Sequence, residues 1–162
     1  MMPEFQADVV TAISTTALYK LGYKVTTKDA NGTKFWRYVK NGSGASFKVG
    51  QGTMIKSSSA TYEADVSTTD ASHARFLGVA QVYSLDSVPS LFLNLHFGFV
   101  QCEGFGKVLG IAAGVAANSS LTCVAAGEFN AGTIGAVDLV AFNPVALPSV
   151  SPYVGSAYIK SV

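Results

Sequence analysis

The sequence predicts an all-β fold, a small β-barrel or β-sandwich over residues 20–162, preceded by an arm, residues 1–19, that is extended or forms a short helix. Three observations predict it. Short runs of period-two alternation recur from residue 20 onward; turn clusters rich in Gly, Asn and Ser separate them at close intervals; and outside the arm the only helical candidate, residues 85–95, is interrupted by Pro89. The 162 residues are one domain's worth of chain, long enough to bury a core without a metal or a disulfide framework.

In the arm, Val9, Val10, Ile13, Ala17 and Leu18 stand at roughly helical spacing, but Thr11, Ser14, Thr15 and Thr16 are weak helix formers, so an arm and a short helix are both open. Residues 23–27 then alternate in period two, Asn31-Gly32 supplies a turn, and residues 34–39 resume as a β-rich run, which together make a hairpin. Asn41-Gly42-Ser43-Gly44 precedes a strand over 45–49, and Gly50-Gln51-Gly52 precedes another over 53–56 that Ser57-Ser58-Ser59 ends. Further strands are expected over 60–66, 76–83, 92–96, 98–105, 120–124, 136–142 and 156–160. The interval from Gly78 to Gly98 matches that from Gly135 to Gly155, either as two similar hairpin units or by chance.

Charge is sparse. Lys and Arg number 11 against 10 Asp and Glu, and at 13% charged residues the chain lies well below the ~25% of typical soluble domains, a composition that favours association. A net charge of +1 gives no global field for nucleic acid or anionic lipid. The charges are nevertheless segregated: Lys20, Lys24, Lys28, Lys34, Arg37, Lys40, Lys48 and Lys56 face Asp29 alone in residues 20–56, and the remainder of the chain is mildly acidic. Such a block is either a solvated strand face or an electrostatic contact to a partner. With 49% hydrophobic residues and 16 Gly lacking a strict period, the composition excludes disorder and collagen. Glu4 and Asp8, with no apolar stretch before Lys20, predict cytosolic synthesis rather than a secretory signal. The longest apolar stretch, 108–127, is broken by Asn118, Ser119, Ser120 and Thr122, so no membrane span is expected, and the sequons at Asn31, Asn41 and Asn118 read as turns.

Little in the sequence carries chemistry. Cys102 and Cys123 have no CxxC or CxxH spacing and are expected to be small buried hydrophobes in a reducing compartment. Asp70, Ser72 and His73 suggest a triad in composition, but residues this close in sequence rarely reach its geometry, and a polar loop accounts for them. His96 is expected on a strand, pointing away from the core. Glu63 and Asp65 share a strand face without further metal ligands, and the Gly-rich stretches 41–52 and 104–106 match no phosphate-binding pattern. No catalytic, cofactor-binding or metal residue is predicted, and an enzyme is not expected. Phe35-Trp36-Arg37-Tyr38 suits core packing on a strand, or stacking on bases or sugars.

One resemblance emerges from the middle of the chain. Phe76-Leu77-Gly78-Val79-Ala80-Gln81-Val82, then Gly98-Phe99-Val100-Gln101-Cys102-Glu103-Gly104, then Gly114-Val115-Ala116-Ala117-Asn118-Ser119-Ser120-Leu121 resemble the capsid decoration, or cement, proteins of tailed bacteriophages. The resemblance covers residues 36–127, with 156–160 a weaker match. It implies a β-tulip-like barrel or related sandwich that assembles as a homotrimer on the outer surface of the phage head, is made in the host cytoplasm, and stabilises the expanded capsid by binding it and not the immature one. The major capsid protein lattice would be the partner. The candidate contacts are Phe5 and Val9 in the arm and Lys34, Trp36, Arg37 and Lys40 in the basic block. Two other readings stay open: a tail-tube or head-completion subunit, and a carbohydrate-binding or adhesive β-sandwich using Trp36, Tyr38 or Tyr83 as sugar platforms.

Overall fold

The computed structural model describes residues 2–56, 62–66, 75–81, 83–85, 88–111, 113–132, 139–149 and 153–160. Its elements are a short α-helical turn, α1 (Ala7–Thr11), a 3-10 turn over Ala125–Gly127, and twelve strands: β1 (Lys24–Asp29), β2 (Gly32–Asn41), β3 (Gly52–Ile55), β4 (Glu63–Val66), β5 (Phe76–Val79), β6 (Tyr83–Leu85), β7 (Val88–Ser90), β8 (Phe97–Leu109), β9 (Ser119–Cys123), β10 (Phe129–Ala131), β11 (Leu139–Asn143) and β12 (Val154–Lys160). The fold is all-β, as the alternation predicts. Among the described residues no helix is long and apolar enough to cross a membrane.

Ten strands form one sheet in the order β1-β2-β4-β3-β5-β8-β12-β11-β9-β10, and β6 and β7 pair separately. A further pairing of β2 with β8 closes β2, β4, β3, β5 and β8 into a ring. On the other side of β8, the strands β12, β11, β9 and β10 follow in turn, and β10 comes back to the continuation of β8 through the bridge Gly110↔Phe129. The long β8 is therefore a stave common to two rings: residues 97–103 pair with β2, and residues 103–109 pair with β12. The change of neighbour falls at Gly104. Its φ of 100° favours glycine, and a Cβ there would lie 2.8 Å from the carbonyl oxygen of Thr33, so the bend demands a residue without a side chain.

The core follows this division. Inside the first ring Val39, Ala64, Leu77 and Val100 pack with Phe47 and Phe92. The second ring encloses Val108, Leu121, Phe129, Ala157 and Ile159, joined by Phe76 and Val79 from the opposite face of β5, so β5 is a wall shared by both cores. A third layer lies outside the first ring, where Val10 of α1 covers Val25, Trp36, Tyr38 and Phe99. Alternation along β2 explains it: Trp36 and Tyr38 face the arm and Val39 faces the ring.

Several expected elements shift. The β1–β2 hairpin forms around a two-residue turn, with Asp29↔Gly32 the last pair and the Asn31 N–H donating to Asp29 Oδ1 at 2.8 Å. The strand expected over 45–49 is reduced to the single bridge Phe47↔Phe92, and that expected over 92–96 ends in a turn where Leu95 takes φ 62°. The helix considered over 85–95 is instead partly strand, β7, consistent with Pro89 lying at a sheet edge. Residues 60 and 61 of one expected strand, 136–138 of another, and Gly135 of the internal correspondence lie outside the described residues.

Candidate interaction surfaces

The arm is docked on its own domain. Pro3 and Phe5 bracket Thr26 of the outermost strand β1, with the Thr26 N–H donating to the Pro3 carbonyl at 2.9 Å and the Phe5 N–H donating to the Thr26 carbonyl at 2.7 Å. Ser14 then pairs with Phe97 across a second bridge. The edge that β1 would otherwise present is covered locally by the same chain. Phe5 is half-buried against Tyr19, at 5.6 Å between ring centroids, and edge-on to Phe99 at 6.2 Å. Val9 is half-buried beside a shallow groove of about 260 Å³ that Leu18, Tyr38 and Phe97 also line. The arm therefore carries part of the fold.

The basic block is less positive than a count along the chain suggests. Lys28 pairs with Glu4 of the arm at 3.3 Å, Lys34 with Asp29 at 2.7 Å, and Lys56 with Glu63 of β4 at 3.5 Å. The hydrogen bond from Lys34 holds the Asp29 carboxyl below the usual carboxylate range, so this pair contributes stability above that range and loses it as the pH falls through the depressed value, a small effect for an exposed pair. Arg37 is half-buried, with its guanidinium carbon 5.6 Å from the centre of the Tyr62 ring and its Nε without a hydrogen-bond partner among the described residues. Lys40 is half-buried opposite Glu63. Among the described residues Lys20, Lys24, Lys40 and Lys48 form no ion pair.

Trp36 is corrected by the structure. It is 5% exposed, and its Nε1–H donates to Thr27 Oγ1 at 2.9 Å, so the indole is a core group with its polar edge satisfied, not a face offered to a partner or a sugar. Tyr38 is also buried; its hydroxyl accepts from the Leu18 N–H at 3.0 Å, and burial raises its pKa. Nothing is described of the Tyr83 side chain, and Asp70, Ser72 and His73 lie outside the described residues. His96 closes a turn, half-buried, with Nδ1 2.9 Å from the Asn94 carbonyl, instead of projecting from a strand. No cluster of three or more His, Cys, Asp or Glu that could hold a metal occurs among the described residues.

Cys102 and Cys123 are both buried and form no disulfide. Burial raises the Cys102 pKa, outweighing the nearby Arg37 and Lys24 charges. Neither thiol is expected to react promptly with a thiol reagent in the folded protein, and both should react on denaturation. Fast labelling of Cys102 under native conditions would contradict its placement.

Alternation alone did not single out a row of exposed aromatics. Phe105 of β8 stands opposite Tyr158 of β12, which stands opposite Phe142 of β11. Their inward neighbours Ala157, Ile159 and Ala141 are core residues, so the three rings point outward together. The available signal was aromatic residues out of phase with the buried positions of their strands. Elsewhere Leu18, Tyr23, Leu91 and Leu95 are exposed. No family model matches the chain, and no curated protein matches it.

Proposed function

We propose that the chain is a structural virion protein that binds the outer surface of a tailed-phage head and stabilises the expanded capsid. The specific target comes from the resemblance in residues 76–121. The observation that carries the reading onto the structure is the run from Leu18 to Lys24, where Leu18 is 64% exposed and Tyr23, Lys20 and Lys24 are exposed beside it. A short segment that displays apolar and cationic groups together suits adhesion to an apolar, acidic surface. The mechanism is linkage. A ligand that binds the expanded lattice and not the immature one stabilises the former by RT ln(1 + [L]/Kd), with no reaction.

The arm's packing changes how this is tested. Removing residues 1–19 would strip Val10 and Ile13 from the core, so surface substitutions are the informative variants. Leu18→Asp and Lys24→Glu should each weaken binding to expanded heads by about tenfold while the melting temperature stays near that of the parent, and added salt should weaken the parent's binding. Binding indifferent to both substitutions and to salt would remove this segment from the contact.

A further inference from the structure

The outer face of the second ring is self-complementary. Along β8 the outward residues are Glu103, Phe105 and Lys107, and in register on β12 they are Lys160, Tyr158 and Ser156. Two contacts place them on one face: Tyr158 Oη lies 3.4 Å from Glu103 Oε1, and Lys107 Nζ lies 3.4 Å from Ser156 Oγ. Phe142 of β11 extends the central row. The result is an aromatic stripe, Phe105–Tyr158–Phe142, running across three strands, with an acid on one side of it and a base at the equivalent place on the other.

We infer that this stripe is a contact between two copies of the chain, stacked face to face about a two-fold axis that runs along the aromatic row. Such an axis reverses the strand direction and leaves the position across the sheet unchanged. Each aromatic then meets its own equivalent, Glu103 of each copy meets Lys107 of the other, and Lys160 meets Ser156. Glu103 and Lys107 each lie two residues from the axis, about 7 Å along the strand, so both cross-pairs form at once. The lysine and glutamate contacts within one chain are long and exposed, and exchanging them for cross-pairs loses little.

The ring geometry favours a second copy over a glycan. Phe105 and Tyr158 meet at 80°, with centroids 5.4 Å apart, so they form an interlocking ridge and not the flat platform that a sugar face needs. With exposures of 37%, 37% and 42%, the three side chains make a patch well below the ~800 Å² per partner of a standard interface. The pair is therefore weak, populated at high concentration or where other contacts hold copies close together. A pair built this way is isologous, unlike the three-fold ring that the family resemblance implies, and it does not depend on the head-binding reading.

Sedimentation equilibrium of the full chain, from micromolar to near-millimolar concentration, tests it. The expected result is a monomer–dimer equilibrium that Tyr158→Ser weakens and that Glu103→Lys or Lys107→Glu each weakens by about tenfold or more, whereas the double reversal restores it to within about threefold. Lys107 is exposed and Glu103 half-buried on the outer face, and circular dichroism checks that both charge variants fold. A chain that stays monomeric throughout, a dimer or trimer indifferent to all three single variants, or a double reversal no better than the singles would overturn the inference. So would a monomer whose Phe105 and Tyr158 resonances shift on adding soluble oligosaccharides.

Discussion

Trp36→Ala is expected to lower the unfolding free energy by about 3–5 kcal/mol. The indole lies between Val10 of the arm and the β1–β2–β8 wall, in a layer that also holds Val25, Tyr38 and Phe99. Truncation leaves a cavity there, frees Thr27 Oγ1 from its donor and loosens the arm's seat on the sheet. Trp36→Phe should recover most of the packing and lose chiefly the hydrogen bond, about 1 kcal/mol. Urea unfolding with an unchanged m-value measures both. A cost below about 1 kcal/mol for the alanine variant would mean that the indole is not enclosed. Any loss of ligand binding in Trp36→Ala must accordingly be read against its loss of fold.

Asn41→Ala comes second, at about 2–4 kcal/mol. Asn41 ends β2 fully buried, and its amide is fully used: Nδ2 donates to the carbonyls of Ala45 and Phe92, both at 2.8 Å, while Oδ1 accepts from the Ser43 N–H at 3.0 Å and the Ser43 hydroxyl at 2.8 Å. One side chain thus ties the turn after β2 to the chain entering β8. Alanine leaves the Ser43 N–H without its acceptor and takes one donor from each of the Ala45 and Phe92 carbonyls, which keep the Ser43 hydroxyl and the Phe47 N–H respectively. Asn41→Asp keeps the acceptor, removes the donor and adds a charge, so it should destabilise at least as much at neutral pH and less at a pH low enough to protonate it. Asn143 performs the same task at the end of β11, donating to Ala116 and Val145 and accepting from Ser119. An Asn41→Ala variant as stable as the parent would remove the amide from the account of how the first ring closes.

The local part of this fold is legible in the sequence. Asn31-Gly32 sets a hairpin whose register follows, and the alternation from 156 to 160 marks β12 with Ala157 and Ile159 inward. The rings are not legible, because their closure depends on pairings between strands far apart in the chain: β2 runs parallel to β4 and antiparallel to β8. Alternation also assigns two faces to a strand without saying which is covered. On β2 both are, one by the arm and one by the ring, and Trp36, which the sequence offers both as core packing and as a partner contact, proves to be core. The basic block misleads for a related reason. Glu4 and Glu63 lie outside it along the chain and reach into it in space. The aromatic row needs the registers of β8, β12 and β11 at once, whereas the sequence places Phe105, Phe142 and Tyr158 in three separate segments.

Head binding is tested by mixing the purified chain with expanded and with unexpanded empty heads of a tailed phage of the kind proposed as its source, then sedimenting both. Saturable pelleting with expanded heads, little with unexpanded ones, and better heat resistance of expanded heads once coated are the expected results. A chain that stays in the supernatant with both, or coats both equally without altering their stability, would contradict it.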